Sequence, residues 1–530
     1  MTPKIPGPGQ ALPLARRLPS APDPLALYEA LSDGGRRPGA LLLETGERHA
    51  ESGSARTLVI PAAAARATCR GRVVRVEALT PQGASVIEHL ARRAAPFVVE
   101  RARGQIQLAF PRVSADDAEA RLLAPSPLDV LRALSTGFEV IEDAGPFSVL
   151  CAGVMAYDLV EAFEDLPPPA EDPLGFPDYV FWLAESLVVV DPVAGSADVI
   201  CAAFGGEDAG AARAATHDAA DRLAALVRAC ERVPAAAAGR PAAPPQRPAR
   251  VEAAVDLSDE AYAGLVERLK AHITAGDVFQ IVPSRTFRAP CPDPLAAYRA
   301  LRSINPSPYQ FFLRDAEHTL FGASPETSVR VSPDKDGLRV EVRPIAGTRP
   351  RGATADLDDR LEAEMRLCEK ETAEHLMLVD LARNDVARVS VPGSRRVSPL
   401  LTVERYSHVM HLVSGVSGRL RPGLDALHAV QACMNMGTLV GAPKIRAAEL
   451  LRRAELTRRG PYGGSVGYLT QRGALDSAVV IRSALVREGV AHVRAGAGVV
   501  FDSDPMREAD ETRRKAEATL SALAAAGGAP

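Results

Sequence analysis

The stretch SVGYLTQRGALDSAVVIRSALVREGVAHVRAGAGVVF, Ser465 to Phe501, decides the fold class. Its β-branched runs SVGYLT, DSAVVIRSALV and HVRAGAGVVF read as strands that follow one another with no helix between them. Parallel neighbours need a long crossover, so this succession favours an α+β fold with antiparallel sheets over a doubly wound one. VFQIVPSRTF and LRVEVRPIAG read as two further strands upstream. Nearer the N-terminus, ALLLET, TLVIPA, FVVERA and YVFWLAESLVVVDP are strand-like, whereas PLALYEALSD and PLDVLRALSTG are helix-like. No GxGxxG or Walker motif supports nucleotide binding.

The clearest seam is VPAAAAGRPAAPPQRPAR, Val233 to Arg250, rich in Pro and Ala and without hydrophobic period. It divides an N-terminal region, residues 1–233, from a C-terminal region, residues 251–525, through a linker at 234–250. The helix ATHDAADRLAALVRACERV ends the first region; a helix N-capped by Ser258, with Glu260 in its first turn, opens the second.

Composition narrows the function. Among 530 residues, Lys plus Arg (62) nearly balance Asp plus Glu (66), a net charge of −4, where a nucleic-acid binder would show a basic surplus. The seven cysteines are scattered and never form a CxxC pair, which reads as free thiols in a reducing compartment. No apolar run reaches the ~18 residues of a membrane helix, and the start lacks a signal core. The expectation is a cytoplasmic protein with neither nucleic-acid nor membrane partners.

Two Glu-x-x-Glu pairs carry the chemistry. Glu371 and Glu374 open one helix in EKETAEHLMLVDLARND; Glu508 and Glu511 open another in DSDPMREADETRRKA. Residues three apart share a helix face, so each pair can aim two carboxylates at one point. The face of the first pair continues into Leu378 and Leu381, an inward stripe, and buried acids need a partner. Lys515 continues the face of the second pair and places a cation beside it. Convergent hard oxygen donors suit Mg²⁺.

Read together, GDVFQIVPSR, INPSPYQFF, FGASPE, RPIAGTRPRG, EHLMLVDLARND, RYSHVMHLVS, MNMGTLVGAPKIRA, GPYGGSVGY, IRSAL and AGAGVVFDSDPMREADETRRKA resemble the chorismate-utilising enzymes, in particular the anthranilate synthase large subunits. The resemblance covers nearly everything from about residue 258 to 520 and is looser upstream, through LLLET and AGVMAYDLVEAFEDLP. It implies an antiparallel β-sandwich core flanked by helices, with an N-terminal regulatory and partner-binding region. The activity it implies is Mg²⁺-dependent conversion of chorismate and ammonia to anthranilate and pyruvate, the first step of tryptophan synthesis. A separate glutamine amidotransferase subunit would supply the ammonia in a heteromer, expected to be a heterotetramer, and tryptophan would inhibit.

By the same resemblance, Glu374 and Glu511 would ligate the metal, with Glu371 and Glu508 close by or acting through water. Arg482, assisted by Tyr462, would grip the enolpyruvyl carboxylate with a guanidinium geometry that Lys cannot copy. Gly496, Ala497 and Gly498 would offer backbone N–H groups, Gly347 and Thr348 similar contacts, and Lys515 a cation. Glu326 would protonate the departing hydroxyl, His411 would move a proton in pyruvate elimination, and Thr438 would hydrogen-bond in the same pocket.

Two positions choose among sister reactions. Relatives that add water to chorismate carry a Lys base where Gln280 stands, and aminodeoxychorismate synthases carry a nucleophilic Lys where Ala346 stands. Both substitutions favour direct attack by ammonia. The effector site would be Glu44, Thr45, Pro308, Tyr309 and Gln310. An aminodeoxychorismate synthase component I, or a non-catalytic tryptophan sensor on the same fold, are the alternatives; retention of all the named acids, Arg482 and His411 argues against the sensor.

Overall fold

A computed structural model of the chain describes residues 4–45, 56–112, 117–168, 171–235, 253–406, 409–455 and 457–527. Of the expected linker, residues 236–250 lie outside the described residues.

Strand pairing is antiparallel throughout the named ladders except where Gln10–Leu18 meets Glu139–Val140. Two long strands, Thr57–Arg70 and Tyr179–Asp191, pair along nearly their whole length and run through two sheets. Their register shifts between Val59 and Ala65, and such bulges bend a strand and sharpen its twist. Before the bend, Thr57–Arg70 meets Leu41–Thr45, which leads to Tyr309–Arg314, Thr319–Ser324, Ser483–Arg487, Val490–Gly496 and Ser284–Pro290. Beyond it, Tyr179–Asp191 meets Leu150–Met155, which leads to Ser465–Thr470, Leu475–Val479, Thr327–Asp334, Gly337–Val342 and Val416–Arg419. Residues from both sides of the linker therefore contribute to both sheets.

The layers are helix, sheet, sheet, helix. Leu41, Leu43, Trp182, Phe311 and Val466 pack between the sheets. Leu42 and Phe312 instead join the helices Pro24–Leu31, Ala209–Arg232, Pro294–Ile304 and Pro505–Gly527 on one outer face. Phe181 and Val340 join Leu128–Ser135, Glu369–Val389 and Ala426–Cys433 on the other. Covered on both faces, a strand can be apolar at every position, which is why LLL and VFWL lack alternation. Burial of a side chain of this kind contributes about 1.5–3 kcal/mol.

Two runs that read as single strands divide. VFQIVPSRTF splits into Gln280–Ile281, paired with Gly441–Ala442, and Ser284–Pro290, paired with Val490–Gly496. LRVEVRPIAG splits into Gly337–Val342, in a main sheet, and Ile345–Pro350, in a separate three-stranded sheet with Val409–Val413 and Thr402–Arg405. A proline without an N–H stands at each break, Pro283 and Pro344, where it cannot continue the ladder.

The seven cysteines are free, and six are buried. Among the described residues no helix is long and apolar enough to cross a membrane.

Candidate active site

The helix Glu369–Val389 carries Glu371 and Glu374; the helix Pro505–Gly527 carries Glu508, Glu511 and Lys515. Between them, Gln280 donates its Nε2 to Glu374 Oε1 at 3.1 Å. That pair passes directly over Gly498, where a Cβ would lie 2.6 Å from the Gln280 nitrogen and would force the Gln280 amide to shift. Lys515 Nζ lies 2.8 Å from Glu511 Oε1 and donates to the Gly496 carbonyl at 3.0 Å.

The carboxylates share a neighbourhood. Burial pushes Glu374 above the usual carboxylate range, and nearby Glu511 adds to the rise. Burial raises Glu508 as well, again helped by Glu511. Glu511 itself is lowered: burial acts upward, but the Lys515 ammonium outweighs it. Arg349 Nη1 holds Glu371 Oε1 at 2.7 Å, while Glu371 Oε2 is buried without a partner among the described residues. Among the described residues no three acidic, imidazole or thiol groups form a ready cation cluster. Lys515 and Arg349 draw two of the four carboxylates to themselves.

Glu326 follows the strand Thr319–Ser324 and is buried. Burial pushes its carboxyl up to about 7, against the opposing pull of a Thr438 hydrogen bond (2.7 Å to Oε1) and of Lys515. Glu326 and Thr438, 112 residues apart, thus meet beside the same ammonium.

His411 lies opposite Thr348 on the neighbouring strand, beyond a bulge at Gly347, whose φ is +67°. Its Nδ1 is 3.1 Å from the Gly347 carbonyl and 3.0 Å from the Thr348 hydroxyl. An Nδ1–H donated to that carbonyl leaves Nε2 as the lone-pair nitrogen. Burial holds His411 below its ordinary value, with Arg482 adding to the effect.

Arg482 has a left-handed backbone, φ +49°, unusual for a non-glycine residue. Burial lowers it, opposed by Tyr462 and Glu511, and its guanidinium has no carboxylate partner among the described residues. Tyr462 is buried, pushed up to about 12, and accepts the Gly496 N–H. The Ala497 N–H goes to the Pro283 carbonyl and the Tyr262 hydroxyl, 3.3 Å each. Two of the three N–H groups expected to meet a ligand carboxylate are therefore engaged within the protein.

The five expected effector residues lie on the paired strands Leu41–Thr45 and Tyr309–Arg314 or, for Pro308, just before the second. Glu44, Thr45, Tyr309 and Gln310 line one cavity between the sheets, together with Asp476 and Tyr468; Pro308 does not line it. Glu44 accepts from Tyr298 (2.5 Å) and Arg302 (2.9 Å), and Thr45 bonds the backbone of Arg56. Tyr309 donates to Asp476 Oδ1 at 3.0 Å, and Gln310 reaches the carbonyls of Arg302 and Asn305 at 3.4 Å.

Several residues had no signal in the sequence. Arg285, fully buried, donates to Thr512 Oγ1 (2.8 Å) and the Ala509 carbonyl (2.7 Å), fixing the turn that presents Glu511. Arg349 belongs to a short Arg-Pro-Arg run, and Asp476 reads as an ordinary polar residue at the start of a strand. An arginine followed by β-branched residues suggests a strand, not a helix anchor.

The family model for chorismate binding enzymes matches residues 101–521. Anthranilate synthase component 1 of Vibrio cholerae is 46% identical over 96% of this chain and 96% of its own length. The pyocyanine-specific anthranilate synthase component 1 of Pseudomonas aeruginosa is 48% identical over 89% of this chain and 87% of its own. The crystal structure of anthranilate synthase component I from Streptococcus pneumoniae superposes with a TM-score of 0.67 at 29% identity, covering 91% of this chain and 92% of that one. With its acids, its arginine and its histidine gathered on this fold, the chain belongs to the chorismate-binding enzymes, in the anthranilate synthase component 1 branch.

Proposed function

We propose that the chain aminates chorismate with ammonia in a Mg²⁺-dependent reaction and then eliminates pyruvate, releasing anthranilate for tryptophan synthesis. The observation that carries this reading is Glu326, a buried carboxyl held near 7 beside Thr438 and Lys515. A group of that pKa keeps a proton for a leaving hydroxyl at neutral pH. As the C–N bond to ammonia forms and the allylic C–O bond breaks, the hydroxyl departs as water with the Glu326 proton. Gln280 and Ala346, in place of Lys, provide no base for water and no amine for covalent attack. Neutral His411, with Nε2 free, takes the ring proton as pyruvate leaves, and Arg482 holds the enolpyruvyl carboxylate.

The donor chemistry fits the metal. Glu374, Glu371, Glu508 and Glu511 offer hard oxygens, one of them orphaned; burial raises Glu374 and Glu508, and the lesser contribution of Glu511 to both is relieved by a divalent cation. Bound there, Mg²⁺ supplies Lewis-acid neutralisation of the ring carboxylate. A glutamine amidotransferase partner supplies ammonia in the cytoplasm, in keeping with the component 1 naming of the relatives. Tryptophan inhibits from the region lined by Glu44, Asp476 and Tyr468, where the space enclosed, about 20 Å³, has to widen to admit it.

The test is to incubate the full chain with chorismate, ammonium and Mg²⁺ and follow anthranilate fluorescence together with released pyruvate. Fluorescence and pyruvate in equal amounts are expected. An amino product without pyruvate would assign the chain to the aminodeoxychorismate or aminodeoxyisochorismate reactions instead.

A further inference from the structure

A second cavity, of about 240 Å³, opens behind Tyr462 and takes no part in the chemistry above. Leu174, Leu320 and Leu485 supply its apolar lining. Cross-strand pairing sets Arg288 opposite His492, and His492 opposite Leu485, so the three form a row on one sheet face. Arg458, Arg459 and Arg494 also line the cavity, but they are committed to carboxylates: Arg458 to Asp178, and the other two to Glu455. The one carboxylate in the lining, Asp256, accepts the Thr286 N–H at 2.8 Å.

Arg288 is different. Its guanidinium has neither an ion pair nor a hydrogen bond among the described residues, and the same holds for the side chains of Thr286, Ser483 and His492. Arg288 is exposed, whereas Ser483 is buried and Thr286 and His492 half-buried, and polar side chains placed like the last three ordinarily find partners. Four unengaged hydrogen-bonding groups around an apolar floor, with the exposed Arg288 as cation and Asp256 as the one carboxylate, describe a ligand site for a small amphipathic anion. Burial and the neighbouring Arg288 and Arg487 keep His492 below its ordinary value, so near neutrality His492 adds no charge to those of Arg288 and Asp256.

We propose that this cavity binds a single-ring monocarboxylate. The carboxylate meets Arg288 with the Thr286 and Ser483 hydroxyls, and the ring lies against Leu174, Leu320 and Leu485. Tyr462 stands between this site and the catalytic cleft, touching the one and accepting the Gly496 N–H at the other.

The probe is 4-fluorobenzoate, observed by ¹⁹F NMR on the full chain carrying Arg482→Ala, which removes the carboxylate-binding guanidinium of the catalytic cleft. One saturable site is expected to remain. Arg288→Ala in that background should weaken it tenfold or more, and Leu174→Trp, which fills the cavity, should abolish it. In the chain without Arg482→Ala, saturating chorismate without ammonia or glutamine should leave the same component undisplaced, which keeps the test open if Arg482→Ala does not fold. Absence of a chorismate-insensitive component, or one indifferent to both Arg288→Ala and Leu174→Trp, overturns the proposal.

Discussion

The catalytic cleft and the cavity between the sheets both gather carboxylates, but they hold them differently. In the cleft, Glu511 leans on Lys515 with both side chains more than a third exposed, and Glu371 leans on Arg349. A pair as open to water as Lys515–Glu511 is worth little, roughly 0–1 kcal/mol, so a divalent cation or an anionic substrate can displace it. In the cavity, buried Glu44 is fixed by Tyr298 and Arg302, and buried Asp476 by Tyr309. Removing one partner there leaves a desolvated group unpaired. The cleft is arranged for exchange, the cavity for permanence. Substitutions in the first should therefore cost turnover, and in the second stability and regulation.

The largest effect is expected at Glu326. Glu326→Gln should lower kcat about 10²–10⁴-fold, the usual share of a general acid, with little change in Tm. In the unaltered chain the acid works only when protonated, so kcat/KM should fall as pH rises through about 7, and that limb should vanish in the variant. A variant retaining the limb would move the acid elsewhere. Glu374→Gln comes next: titration with Mg²⁺ should show activation weakened by at least the roughly 10–100-fold that losing an outer-shell partner costs. Its Tm should hold or rise, because a carboxylate disfavoured by burial and, to a lesser degree, by Glu511 is gone. A large loss of stability there would break the contrast, since the cleft would then be part of the scaffold.

The smallest effect on turnover belongs to the cavity. Tyr309→Phe takes away the phenol that donates to Asp476, and denaturant unfolding should register a loss of about 1–3 kcal/mol. Ammonia-dependent kcat should stay as it was while inhibition by tryptophan weakens. Unchanged inhibition with unchanged stability would remove Tyr309 from both roles.

The division of strands marks where reading the chain locally stops working. A β-branched run such as VFQIVPSRTF looks uniform, yet its halves pair with Gly441–Ala442 and Val490–Gly496, more than a hundred residues away. Pro283 hints at the break without saying which partner each half takes. Helices were plainer: Ser258 caps Asp259–Thr274, and the faces of Glu369–Val389 and Pro505–Gly527 carry their acids as three-residue spacing requires. The rim of the site is less legible. Arg285, Arg349 and Asp476 act through residues on other elements, and no periodicity within their own segments foretells it.

By itself the sequence determined the antiparallel class, the acidic helix faces, the missing lysines at Gln280 and Ala346, and the membership these imply, because each is a property of residues within one element or one contiguous block. The tertiary structure alone decided which cation or hydroxyl each carboxylate meets. Glu326 finds Thr438 across 112 positions, Glu374 finds Gln280 across 94, and Tyr309 finds Asp476 across 167. The charge and proton affinity of a buried acid depend on neighbours in space and on the water they exclude, and the folded packing sets both.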